Sequence, residues 1–312
     1  MKVTFWGVRG SLPTPLSPER IRAKIEAVVQ RIAVSDLENS NARERFISSL
    51  PPWIYGTVGG NSACVEIRTK KNEIFILDAG SGIRLLGKKL AKEEARVFHI
   101  FISHFHWDHI QGLPFFDPAY NQDSEIHFYS PSEDLKRILF AQMEEPEFPV
   151  TMNAFTKKIT YHTIVPNESF YVGDVQVACK KMSHPGDSYA YSFLEDNRKF
   201  IYATDVEIFT KDFERDGEND QFFDTADVLV IDSQYTAEEA VEKENWGHSA
   251  FCYAVDFAAA WNIPKVLLFH HDPTYDDKKV YSILQSARWY AGYAVKKEIN
   301  LDIAAEGLEI EV

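Results

Sequence analysis

Runs of apolar or alternating residues recur along this chain, and most are closed by glycine, proline or charge. VTFWGV (3–8) alternates and enters a glycine-containing turn, which predicts an opening strand. SACVEIRT (62–69) and EIFILDAG (73–80) predict a hairpin, followed by a helix over 82–91. VFHIFISHF (97–105) predicts a buried strand. A helix is expected near 132–143, then strands at 159–165, 174–182, 189–195 and 199–204. DVLVIDS (227–233) predicts another buried strand, and HSAFCYAVDFAAAW (248–261) a helix opened by His248. KVLLFHH (265–271) predicts a strand, 276–296 a long helix, and GLEIEV (307–312) a closing strand.

Residues 17–50 break this rhythm. Ser17-Pro18-Glu19 is a helix start with proline at the first helical position. Ile21, Ile25, Val28, Val29 and Ile32 then recur at helical spacing, and Ser35-Asp36 offers a second start before LPPW ends the segment. The segment reads as a helical insertion after the first strand, serving as a lid, a partner surface or scaffolding. With no low-complexity linker and no internal period, residues 1–312 read as one α/β domain. Two mixed sheets between helical layers, a four-layer αββα sandwich, are the expected architecture.

Charge narrows the partners. Lys and Arg total 33 against 47 Asp and Glu, a formal net charge of -14. Such a body repels a phosphate backbone, so long nucleic acid is disfavoured as the main partner. A small anion held by a local cation is still allowed. Cys64, Cys179 and Cys252 form no CxxC pair and read as reduced, half-buried thiols, and no segment suggests a leader or a membrane span. The expectation is a cytoplasmic protein without membrane partners, with a homodimer as an assembly the sequence allows.

FISHFHWDHIQG (101–112) changes the picture. Three of the chain's 10 histidines fall within six positions at the end of a predicted buried strand. In an extended segment residues i and i+2 point the same way, so His104 and His106 can share one ion. Asp108 and His109 follow a turn and can face a second ion. Imidazole and carboxylate donors without thiolate suit Zn²⁺, and also Mn²⁺ or Fe²⁺.

These motifs resemble the metallo-β-lactamase-fold hydrolases, and the similarity spans nearly the whole chain. It implies two divalent metal ions, Zn²⁺ first, and further ligands in order: His184 in KMSHPG, the bridging Asp205 in IYATDV, and His270 in LLFHHDP. His271 is the adjacent alternative to His270. Asp78 in ILDAGSG matches a residue that orients a ligand histidine. GVRGSLPTP, GGNSACVEI and HFHWDHIQGLPFF are similar to a bacterial subgroup allied to cyclic-nucleotide phosphodiesterases and to the tRNA 3′-processing endonuclease branch. In that branch a histidine near the metals matches His248 in NWGHSAFCYAVDFA, which makes it the candidate donor of a proton to the leaving oxygen.

The chain departs from the branch in three places. Ala190 stands where glycine is usual, Asp232-Ser233 replaces a different acidic context, and only a short hairpin fits where the tRNA-gripping arm would be. The expectation is a metal-dependent phosphodiesterase with a small phosphodiester substrate such as a cyclic nucleotide. Asp108 is expected to orient the nucleophile and His248 to act as general acid. A lactone, thioester or β-lactam hydrolase, an RNA-processing nuclease and a non-catalytic binding protein stand as alternatives. Ser11, Asn61 and Trp107 lie in turns expected to border the cleft.

Overall fold

Fourteen strands divide into two sheets of seven, in a computed structural model that describes residues 1–312. The first sheet holds β1 (Lys2–Gly7), β2 (Cys64–Arg68), β3 (Ile74–Leu77), β4 (Val97–Phe101), β5 (Glu125–Ser130) and β6 (Lys158–Thr163) in sequence order. The second holds β7 (Ser169–Val172), β8 (Val175–Met182), β9 (Ser188–Glu195), β10 (Arg198–Ala203), β11 (Val228–Asp232), β12 (Lys265–Phe269) and β13 (Asn300–Ile303). The last strand, β14 (Glu309–Glu311), returns to pair antiparallel with β1. In each sheet one half is antiparallel and the other parallel: β3 to β6 in the first, β10 to β13 in the second.

Parallel strands need cover on both faces, and their sequences supply it. IFIL in β3 and VLVID in β11 are buried at every position. Their side chains sort into three apolar layers. Between the sheets, Phe193 lies 5.9 Å from Phe75 and 5.2 Å from Phe101, and Phe5 lies 6.2 Å from Phe269. On the outer face of the first sheet, Phe98, Ile100 and Phe128 cluster with Leu86 and Leu90 of the helix Ile83–Lys92. On the outer face of the second, Ile201, Leu229 and Leu268 meet Val255 of the helix Phe251–Ala260 and Ile283 of the helix Asp277–Tyr290. The result is the mixed-sheet αββα sandwich expected from the sequence.

Several boundaries move. β4 ends at Phe101 and β12 at Phe269, so the histidines that follow stand on turns beyond the sheet. His248 does not open the helix; Ala250 caps it, two residues later. β5, β7 and β13 were not expected. In β5 the alternation is disguised by Glu125 and His127, while β7 and β13 are four-residue edge strands. Ala190 is fully buried and leaves β9 unbroken. The three cysteines are free, as expected, but buried rather than half-buried. No helix is long and apolar enough to cross a membrane.

The insertion forms a helix at Pro18–Val29, capped by the Ser17 side chain accepting from Arg20 N. The second helix starts at Ser40 with Asn39 as its cap, and Ser35-Asp36 makes only a short 3₁₀ turn. The first helix docks through its cations. Arg20 donates to Thr274 O at 3.0 Å, and Lys24 donates to Trp53 O and pairs with Asp277 at 2.6 Å. Its apolar repeat faces outward, with Ile25 58% and Val29 65% exposed. The insertion therefore stands beside the loop after His270 and His271.

Phe193 joins the two sheets through several rings, so Phe193→Ala leaves a cavity the sandwich cannot close. We expect a loss of about 3–5 kcal/mol, read from the urea midpoint at unchanged slope.

Candidate metal centre

The end of the sandwich where the central parallel strands finish collects the chemistry-bearing side chains. Asp78 follows β3, the turn bearing His104, His106, Asp108 and His109 follows β4, Asp205 follows β10, and His270 follows β12. Strand C-termini are where open α/β sheets place their ligands. Three of these residues take left-handed backbone angles, with φ of 60° at Asp78, 50° at Asp205 and 60° at His270. Non-glycine residues rarely adopt this conformation, and at a strand end it turns the side chain sharply toward the cleft.

The donors form two groups that share one carboxylate. His104 Nε2 and His184 Nε2 lie 2.9 and 3.1 Å from His106 Nδ1, and 3.7 and 3.8 Å from Asp205 Oδ1. On the other side His109 Nε2 and His270 Nε2 lie 3.0 and 3.1 Å from Asp205 Oδ2, and 3.3 and 3.2 Å from Asp108 Oδ2. Each oxygen of Asp205 thus faces a different histidine set, and each group of four is close enough to hold one ion.

Partners behind the donors fix their orientation. Asp78 Oδ2 contacts His109 Nδ1 at 2.8 Å and also accepts from Ser103 Oγ and the Tyr202 hydroxyl. His184 Nδ1 donates to Gly247 O at 2.8 Å, which leaves Nε2 with its lone pair toward the cleft. Asp108 Oδ2 accepts from Ser11 N at 2.7 Å. Gly10 allows this turn to approach, because a Cβ there would meet the His270 ring at 2.5 Å. Asn61 is bound to Ser81 and Glu306 and so braces the turn, whereas Trp107 is 81% exposed beside the donors. His271 turns away: its Nε2 donates to Ala304 O at 2.8 Å, and burial with Arg9 nearby holds its pKa down at about 3.

The electrostatics fit divalent ions. Burial lowers the pKa of His104, His106 and His184, keeping them as neutral imidazoles, the form that ligates. Burial opposes charge on Asp205 too, but the neighbouring His109, His270 and His104 outweigh it and hold the carboxylate ionised. His109 Nε2 is fully buried and makes no hydrogen bond despite its two carboxylate neighbours. An orphaned nitrogen aimed among carboxylates is what a cation would satisfy.

One partnership was not legible from the sequence. His248 stacks on His270 with ring centres 5.0 Å apart, and its Nδ1 lies 2.6 Å from Asp232 Oδ2. Asp232 is held in turn by Gln234 N and Ser249 N on its other oxygen. Burial would lower the His248 pKa, but the charge and hydrogen bond of Asp232 outweigh it and push it to about 9. In the sequence Asp232 stands out only as a departure from the resembling branch, because 16 residues separate it from His248 in the chain.

Comparison with known proteins agrees with this geometry. Ribonuclease Z of Oceanobacillus iheyensis is 23% identical over 278 residues, covering 73% of this chain and 88% of that protein. Among solved structures, the metallo-β-lactamase-fold protein YhfI from Bacillus subtilis aligns with a TM-score of 0.67 at 15% identity, covering 100% of this chain and 98% of its own. The short form of human tRNase Z aligns with a TM-score of 0.62 at 19% identity, covering 100% and 99%. At these identities the two structures speak for the fold. The family model described as the beta-lactamase superfamily domain matches residues 74–271, well over half the chain, and the chain belongs to that family of metallo-β-lactamase-fold hydrolases.

Proposed function

We propose that this protein is a two-ion phosphodiester hydrolase. His104 Nε2, His106 Nδ1 and His184 Nε2 with Asp205 Oδ1 would hold one ion. Asp108, His109 Nε2 and His270 Nε2 with Asp205 Oδ2 would hold the other. When bound, such ions polarise the phosphoryl oxygens and lower the pKa of water toward about 7; zinc suits these donors best. Ser11 N pins one oxygen of Asp108, and the other is free to orient the attacking water. Asp232 occupies Nδ1 of His248 and fixes the ring, so Nε2 delivers a proton to the leaving oxygen.

The observation that carries this reading is the His248–Asp232 pair beside the split donor set. A strained lactone or β-lactam does not need a positioned acid for its leaving group, whereas an alkoxide leaving phosphorus does. The preferred substrate is a small diester, a cyclic nucleotide among them. β9 and β10 are joined by only Asp196 and Asn197, both left-handed, so no arm for gripping tRNA stands there. Trimming of RNA 3′ ends is the second reading, favoured by the ribonuclease Z relative. Metal-analysed protein assayed on a cyclic nucleotide, a nitrophenyl diester, an unprocessed tRNA and a β-lactam separates these readings. Cleavage of the tRNA far above the small diesters would overturn the first.

Elemental analysis after dialysis should find about two transition-metal ions per chain. His104→Ala and Asp205→Ala should lose metal together with activity, and full diesterase activity in metal-free protein would sink the mechanism.

His248→Ala should keep both ions yet lose roughly 10²–10⁴ in kcat on a diester with a ribose alkoxide leaving group. The loss should shrink for nitrophenolate, which departs without a proton. An equal loss on both would make His248 a phosphate-positioning group instead.

Asp232→Asn addresses the proton itself. An acid works only below its pKa, and Asp232 raises that of His248. Removing the charge should move the alkaline limb of the kcat/KM profile to lower pH by roughly one to three units, with metal content unchanged.

A further inference from the structure

A cavity of about 270 Å³ adjoins His248, and none of the metal donors lines it. Its walls come from the segment just after Asp205 (Glu207, Ile208, Phe209), from Val241 and Glu244 around the helix Ala237–Glu242, and from Tyr253. His248 is the one side chain that touches both regions. It lines the cavity, and its ring lies 5.0 Å from that of His270 and 5.2 Å from that of His184.

The charge of this cavity is one-sided. It contains Glu207 and Glu244 and no lysine or arginine. Glu207 is fixed, because its two oxygens accept from Asn245 N and Gly247 N at 2.9 and 3.0 Å. Glu244 lines the cavity as an exposed side chain with no ion pair or hydrogen bond of its own. The nearest lysine in sequence, Lys243, is directed elsewhere, 4.2 Å above the Tyr235 ring and 3.6 Å from Asp272. Phe209 and Tyr253 present aromatic surface at 38% and 40% exposure.

From this juxtaposition we propose that the cavity is the leaving-group subsite, selective for alcohols without negative charge and best for those bearing an ammonium group. The inference rests on the phosphodiesterase reading above. In an in-line displacement the nucleophile enters opposite the leaving oxygen, so the group that protonates this oxygen marks where the departing alcohol lies. The attacking water has given one proton to solvent and keeps its second on the product phosphate. Its oxygen forms the new bond to phosphorus while the bond to the leaving oxygen breaks. That oxygen takes the proton of His248 and departs as a neutral alcohol, leaving a phosphomonoester. Two carboxylates repel a departing group that carries a further phosphate or carboxylate. The same carboxylates with two aromatic rings attract an ammonium through charge and cation–π contact. The cavity is smaller than the roughly 300–1,000 Å³ of pockets that enclose drug-sized ligands, which suits a compact alcohol.

The test uses aryl methyl phosphates, in which the phenol always departs, with trimethylammonium, nitro or carboxylate at the para position. Intrinsic leaving-group reactivity cancels when each substrate pair is compared between two proteins. Relative to wild type, Glu244→Lys should lower the ratio of kcat/KM for the ammonium ester over the carboxylate ester by at least about tenfold, with metal content unchanged. Tetramethylammonium should inhibit wild type and inhibit Glu244→Lys at least several-fold less. An unchanged ratio, with nitrophenyl turnover and metal content intact, overturns the subsite and leaves the phosphodiesterase reading standing. Wild-type protein that holds its metal and cleaves none of the three esters overturns both.

Discussion

The buried carboxylate of Asp205 is the constraint on which the rest of the site depends. Its two oxygens face separate histidine sets, so it fixes the separation of the two groups and orients both. An ionised carboxylate at 1% exposure is costly unless paired. Here the stabilisation comes from surrounding imidazoles and from the Thr204 hydroxyl, which donates to Oδ2 at 2.6 Å, while the backbone is held at φ 50°. That conformation is tolerable because β10 is locked on both sides, antiparallel to β9 and parallel to β11. The sheet thus absorbs the strain of the turn that carries this carboxylate. Packing between Phe193, Phe75 and Phe101 then matters to the donors at one remove, since it holds the two sheets that contribute four and three of the set.

Much of this was legible in the sequence because metal donors obey short-range spacing. H-x-H-x-D-H after an apolar strand names four donors at once, and strand-end motifs carry the other three. The choice between His270 and His271 was not legible, because register at a strand end depends on a left-handed turn that spacing does not reveal. In the structure the His270 ring packs against Gly10 among the other candidate donors, while His271 is satisfied by Ala304 O. Asp232 escaped for another reason. Its partnership with His248 joins two elements, β11 and the loop before the helix Phe251–Ala260, that are separated in sequence and meet through Asp232 itself and the isolated pairing of Tyr235 with Ala250 just beyond the strand. Edge strands of four residues escaped because they bury too little to pattern.

The insertion illustrates the limit of periodicity. An apolar repeat at helical spacing predicts a helix, and a helix forms, but the repeat does not say which face docks. Here Lys24 reaches Asp277, a buried carboxylate that also accepts from Val58 N and lies 3.8 Å from Arg9. Buried beside Arg9, Asp277 gains a second cation in Lys24, so the helix is held by charge rather than by its isoleucines. The turn bearing Gly10 and the loop after His271 are both anchored on Arg9, whose guanidinium donates to Gly59 O and Tyr275 O. The insertion and the donor loop therefore share one buried ionic joint, although no insertion side chain reaches a donor.

Charge also reconciles an acidic body with the anionic substrate proposed above. A net charge of -14 repels phosphate at a distance, and repulsion grows with the number of phosphates presented. Two dications held by Asp108, Asp205 and five imidazoles would reverse the sign locally, within a cleft whose low dielectric strengthens the effect. A single phosphodiester carries one charge and can be drawn wholly into that small positive region. A long polyanion would leave most of its charge outside, against a surface of the same sign, unless an added arm held it. The two-residue turn between β9 and β10 provides no such arm. On the phosphodiesterase reading proposed above, discrimination by size would follow from how short a distance the positive field extends, before any contact with the rest of the substrate is made.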